Sequence, residues 1–131
     1  MNGRTEFILL GVVVVWGIVQ LFWAAGAARR QQGMEWAAGS RDEPRPTSGG
    51  AARLERACRN FNETFPLFAA ALLASSALGK LGALSLWGTH LYVWARVAYT
   101  PCYVTDIKGI RSIVWFVSIA GLFLVVLSIF V

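Results

Sequence analysis

FILLGVVVVWGIVQLFWAAGAA, Phe7 to Ala28, decides the fold class of this chain: 22 consecutive residues without a formal charge. A helix needs roughly 20 such residues to cross a hydrocarbon core about 30 Å thick. A second uncharged run, Ser112 to Val131, has 20. Two shorter ones lie between them, Thr64 to Gly79 and Leu81 to Ala95. Each becomes long enough if its helix extends through charged flanks, back towards Arg53 and on past Arg96 to about Val104. The spacing predicts an all-α integral membrane protein. Its four transmembrane helices, at about 7–28, 54–79, 83–105 and 111–131, form one bundle and a single membrane domain over 1–131.

Composition agrees. Of the 131 residues, 56% are hydrophobic and 15% charged, against about 45–50% and about 25% in soluble domains. A soluble core this small cannot bury that excess. A cleaved signal peptide is disfavoured for the first segment, because its apolar stretch exceeds the usual 7–15 residues. Its basic residues, Arg29 and Arg30, also follow the stretch instead of preceding it.

Basic residues set the expected topology. Arg29, Arg30, Arg41, Arg45, Arg53, Arg56 and Arg59 lie on or beside the first connection, and Arg96, Lys108 and Arg111 around the third. Only Arg4 and Lys80 lie on the other side, so ten of twelve cations share one face. The positive-inside rule puts that face in the cytoplasm and both termini outside. This accounts for the net charge of +5 without nucleic acid. The connection from about Arg29 to Ala52 carries Gly33, Gly39, Pro44, Pro46, Gly49 and Gly50, and reads as a long loop, functional or mobile. Cys58 and Cys102 read as reduced packing residues. No metal site is expected, since His90 is the single histidine and has no ligand-spaced partners.

The chemistry concentrates in Arg56-Ala57-Cys58-Arg59-Asn60-Phe61-Asn62-Glu63-Thr64. At about 100° per residue, Arg56, Arg59, Asn60 and Glu63 fall within one arc of about 100°. Tyr92, Arg96, Tyr99 and Tyr103 line one face of the third helix in the same way. One reading is structural: Glu63 pairs with Arg59 or Arg96 and the residues only hold the bundle together. Stoichiometry favours a ligand. Arg56, Arg59, Arg96 and Arg111 face only Glu63 and Asp106, and that cationic surplus suits a small, zwitterionic, net-negative molecule held beside lipid.

The order R-x-x-R-N-x-x-E-T from Arg56 to Thr64, followed by Phe65-Pro66-Leu67-Phe68, resembles the MAPEG family, membrane-associated proteins in eicosanoid and glutathione metabolism. Arg96-Val97-Ala98-Tyr99-Thr100-Pro101-Cys102-Tyr103, continuing to Ile110-Arg111-Ser112, is similar to the family's third helix and the start of its fourth. The pattern is nearest the branch of microsomal glutathione transferases and prostaglandin E synthase. The resemblance implies a homotrimer with glutathione bound between subunits near the cytoplasmic face. By motif position, Arg56, Arg59, Asn60 and Glu63 bind glutathione from the second helix, and Arg96, Tyr99 and Tyr103 from the third. It further implies that Arg111 activates the thiol, that Ser112 assists, and that Arg30 or Arg29 reaches a neighbour's site.

The implied activity is a glutathione transferase or peroxidase acting on a lipophilic electrophile or hydroperoxide, in a bacterial inner membrane or the endoplasmic reticulum. Tyr99 stands where the prostaglandin synthase branch carries histidine, and Thr64 where the leukotriene synthase branch has an aromatic hydroxyl. Both departures argue against those two activities. The alternatives are a non-catalytic lipid- or glutathione-binding member of the family, and a small four-helix transporter using Glu63.

Overall fold

The computed structural model describes residues 3–131, which form helices and no strand among the described residues. Helix α1 runs Arg4–Gln32, a short α2 Met34–Ala38, α3 Gly49–Ala77, α4 Ala83–Val104 and α5 Ile110–Phe130. Helices α1 and α5 are long and apolar enough to cross a membrane. In their most apolar windows only 17% and 22% of residues are buried, unlike the core helix of a soluble protein. Phe22, Trp87, Phe123 and many other large apolar side chains face outward. Such a continuous apolar exterior belongs in lipid. Helices α3 and α4, of 29 and 22 residues, extend about 44 and 33 Å at 1.5 Å per residue. They are less apolar because the charged motifs lie on them.

Among the long helices, α3 and α4 pack against each other, and both α1 and α5 pack against this pair. Fully buried Val13, Phe68, Leu72, Tyr92, Val93 and Val125 make the centre, where the rings of Phe68 and Tyr92 stack 4.1 Å apart. The closest seam is α4 on α5. A Cβ on Gly121 would lie 2.6 Å from the Gly88 carbonyl oxygen, and one on Gly88 would lie 2.7 Å from that of Gly121. No side chain fits there, so the two backbones touch, as small residues allow in membrane bundles.

Polar side chains join the helices where apolar contact alone confers little specificity. The hydroxyls of Thr64 and Tyr92 are 2.9 Å apart, and those of Ser75 and Ser128 2.8 Å apart. The Trp16 indole donates to the Arg96 carbonyl (3.2 Å), and the Thr100 hydroxyl to the buried Gln20 side chain. Cys58 donates to the Gln20 carbonyl at 3.6 Å and is a free thiol, as is Cys102. Glu6, one residue before the apolar run, is wholly buried and accepts a bond from Ser85.

The first connection departs from the expected plain loop. Helix α1 continues through Arg29 and Arg30 to Gln32, α2 follows, and α3 begins at Gly49. The intervening chain is tethered. Gln31 exchanges two bonds with the backbone of Ser48, Gln32 and Arg45 bond reciprocally through side chain and carbonyl, and the Trp36 indole donates to the Glu43 carbonyl. Pro66 lies within α3, whose helical assignment is unbroken across it.

Gly121→Ala should force the α4–α5 seam open, because the added carbon meets backbone that cannot rotate away. We expect a loss of about 1–3 kcal/mol, seen as a lowered thermal unfolding midpoint in detergent. Gly26→Ala, inside α1 and meeting nothing within 4 Å, should not lower the midpoint, and its gain in helix propensity should raise it slightly.

Candidate functional site

Polar residues of α3, α4 and α5 converge at the end of the bundle opposite Gly3 and Val131. The short connection after α4 turns through Asp106 (φ 57°) and Gly109 (φ 84°), and this left-handed turn starts α5 immediately before Arg111. A pocket of about 290 Å³ results. Asn60, Tyr99, Tyr103, Arg111 and Ser112 line it, with Trp115 and Phe116 as its apolar wall.

Aromatic faces hold the cations. The Arg111 guanidinium lies 4.8 Å from the centre of the Tyr103 ring. Arg56 lies 5.8 Å from the same ring and donates from Nε to the Tyr103 hydroxyl at 3.2 Å. Tyr103 meets Tyr99 edge to face at 5.7 Å, and Tyr99 in turn carries the Arg96 guanidinium at 4.4 Å. The rings thus provide polarisable faces for three guanidinium groups and consume no carboxylate.

Two sets of buried atoms are left without partners. Asn60 Oδ1 is sealed from solvent and accepts nothing from the protein. Arg96 is 1% exposed, and none of its three guanidinium nitrogens has a hydrogen-bond partner. Native proteins leave few such atoms, and each calls for an explanation. Arg96 does not line the pocket. It sits behind Tyr99, with Phe61 5.9 Å away on α3.

The structural ion-pair reading therefore loses its bond to Arg96. Glu63 is exposed on α3, within Coulombic reach of Arg96 and not hydrogen-bonded to it. Arg59 is likewise exposed and outside the pocket wall. Arg53 caps the end of α4 by donating to the Val104 carbonyl at 2.9 Å. Arg30 is exposed and lies in a separate groove beside Phe22 and Trp23, while Arg29 bonds Gln32. Of the ten residues expected at a site, Asn60, Tyr99, Tyr103, Arg111 and Ser112 line one pocket. Arg56 touches it through Tyr103, and Arg96 backs it. Arg59, Glu63 and Arg30 stand apart. Trp115 and Phe116 are an unforeseen contribution, although i, i+3, i+4 spacing from Ser112 puts all three on one face of α5.

Hydroxyl donors, a guanidinium and an unpaired amide oxygen form a cleft suited to a polyfunctional anion that brings at least one donor of its own. An apolar helical membrane protein with a polar pocket lined by Arg111 and two tyrosines is the class these observations define. A profile of the MAPEG family matches residues 7–131, and the chain belongs to that family of integral membrane proteins. No individual curated sequence matches it.

The solitary Arg96 charge carries a stability prediction. Desolvating a guanidinium is penalised by several kcal/mol, while a desolvated cation–π contact returns about 2. Arg96→Met should thus raise the thermal midpoint of the ligand-free protein, by the equivalent of about 1 kcal/mol or more. A lowered midpoint would show that the ring contacts outweigh desolvation.

Proposed function

We propose that the chain is a glutathione-dependent membrane transferase or peroxidase acting on a lipophilic electrophile or hydroperoxide. The observation that carries the reading is the pocket in which Asn60, Tyr99, Tyr103, Arg111 and Ser112 meet, with Arg56 and Arg96 held on its two tyrosines. Membership of a family that includes glutathione-dependent enzymes supports it. Glutathione has two carboxylates, one ammonium and a thiol, and the site's donors and orphaned acceptor suit that set. Arg56 binds carboxylate at the edge of the pocket, Asn60 contributes its side-chain amide, and a ligand that extends past the pocket wall reaches Arg59 with a second carboxylate and Glu63 with its ammonium. The Tyr99 and Tyr103 hydroxyls fix orientation, with Arg96 supporting Tyr99 from behind and adding positive potential.

When bound, glutathione supplies the nucleophilic sulfur. A free thiol has a pKa of about 8.5 and is only a few per cent ionised at neutral pH. The Arg111 guanidinium favours the ionised sulfur, with the Ser112 hydroxyl as a second donor. Each unit of lowering corresponds to about 1.36 kcal/mol, a tenfold gain in thiolate until ionisation saturates.

The same reading has α3 and α4 crossing the bilayer with α1 and α5, the polar end in the cytoplasm and both termini outside. Arg56, Arg59 and Glu63 are exposed on one side of α3. Charges facing lipid are penalised, whereas charges facing a bundle interior are tolerated. Neighbouring copies in a homotrimer cover that side, and Arg30 of one copy approaches the pocket of the next.

Calorimetry on the detergent-purified protein tests the proposal. Saturable glutathione binding is expected, weakened about tenfold or more by Arg56→Ala and by Glu63→Ala. The thiolate's ultraviolet absorbance should appear on binding and vanish in Arg111→Ala. Binding without thiolate would assign a non-catalytic role. A folded protein that binds nothing at millimolar glutathione would refute the site.

A further inference from the structure

A second cavity lies on the outer side of the α4–α5 seam, away from the polar pocket. It is a groove of about 550 Å³, within the range of small-molecule sites. Leu86, Trp87, His90, Trp94, Ala98 and Val117 are among its lining residues. From Leu86 to Ala98 it follows α4 for about 18 Å, the dimension of an extended hydrocarbon chain.

His90 is its one imidazole. The Trp94 indole Nε1–H donates to His90 Nδ1 at 3.1 Å. Since indole nitrogen can only donate, Nδ1 must accept, and the ring's proton resides on Nε2. That N–H has no acceptor among the described residues, and the Trp87 ring lies 6.4 Å away on the preceding turn. One oriented donor is thus presented within a wall that is otherwise hydrocarbon and indole. His90 is also about 10 Å along α4 from Ala83, below the level at which headgroup oxygens lie if α4 crosses the bilayer as proposed above.

We infer that this groove binds a single long hydrocarbon chain bearing one hydrogen-bond-accepting oxygen within its apolar part, the oxygen accepting the His90 Nε2–H. A headgroup oxygen is too shallow to reach the donor, and a plain alkyl chain leaves it unpaired. The shared chemistry is a mid-chain hydroxyl or ketone, whether on a free fatty acid or on an acyl chain of a membrane lipid.

The test is competition in detergent-purified full chain. Dibromostearate quenches nearby tryptophan, and the component lost in Trp87→Phe reports the groove. Mid-chain hydroxystearate should displace the probe at about five- to tenfold lower concentration than stearate, the value of one net hydrogen bond. His90→Phe should bring the two acids level while leaving the thermal midpoint unchanged. Ala98→Trp, filling one end, should weaken both. Repeating the competition with phosphatidylcholine carrying the same hydroxyacyl chain identifies the source, and displacement by either form supports the inference. Equal displacement by stearate and hydroxystearate in the unmodified protein would overturn it. So would the absence of any Trp87-dependent quenching, the result expected if a second copy of the chain covers the groove. Either failure leaves glutathione binding at the polar pocket intact, so the two readings fail separately.

Discussion

The backbone contact of Gly88 with Gly121 is the constraint on which both cavities depend. Antiparallel helices that touch at one point must hold a fixed register along their length. Eleven residues onward from Gly88 and eleven back from Gly121 lead to Tyr99 and Ile110, with Arg111 and Ser112 alongside. The polar pocket therefore owes its composition to a contact about 16 Å away. Larger side chains at the seam would separate the helices and uncouple the tyrosines of α4 from the arginine that starts α5. On the outer side of the same seam, Trp87, His90 and Trp94 form the wall of the apolar groove. One helix pair thus presents a polar face and an apolar face to different surroundings.

Charge without counter-charge is the second feature. Arg56, Arg96 and Arg111 all rest against tyrosine rings. A carboxylate partner would satisfy these cations fully and leave little attraction for an anion. A ring face lowers the penalty of burial by only about 2 kcal/mol, and the positive potential survives. Tyr99 and Tyr103 consequently have two roles, supporting guanidinium groups with their faces and presenting hydroxyls at their edges. Asn60 complements them, since its unpaired Oδ1 is an acceptor among donors.

What was legible in the sequence follows from which interactions are local. The helices were legible because uncharged runs and flanking charges encode them directly, and the arc joining Arg56, Arg59, Asn60 and Glu63 because periodicity along one helix is fixed. The sorting of those four was not legible. Asn60 enters the pocket while Arg59 and Glu63 remain outside it, because that choice depends on the rotation of α3 against α4 and α5. Trp115 and Phe116 carry no polar signal of a site and join it only because Ser112 and Tyr99 line the same pocket. Buried Glu6 and Gln20 carried no signal, since their partners Ser85 and Thr100 lie about 80 positions away. The tethered first connection was hidden for a related reason: its order rests on side chain to backbone bonds that Gly and Pro content does not report.

The exposed side of α3 imposes the last requirement. Arg56, Arg59 and Glu63 occupy its first half, while Leu67 and Leu73 are 60% and 52% exposed further along. The upper part of that stripe tolerates lipid and the lower part does not, at about 2.5–3.5 kcal/mol per charge near the bilayer centre and less towards the interface. Lys and Arg can extend to the interface and escape much of that penalty, but the shorter Glu63 has less reach. Arg96 is sealed behind Tyr99 and Phe61 and is not hydrogen-bonded to Glu63, whereas exposed Arg59 lies one turn away on the same helix. Arg59 can offset the Glu63 charge only by giving up its own attraction for an anion, so a cation from outside the bundle frees Arg59 for ligand whenever α3 is immersed. The ammonium of a bound ligand and an arginine of an adjoining copy are the two groups that the proposed assembly supplies, and either makes ligand binding and subunit association energetically linked at the same helix face.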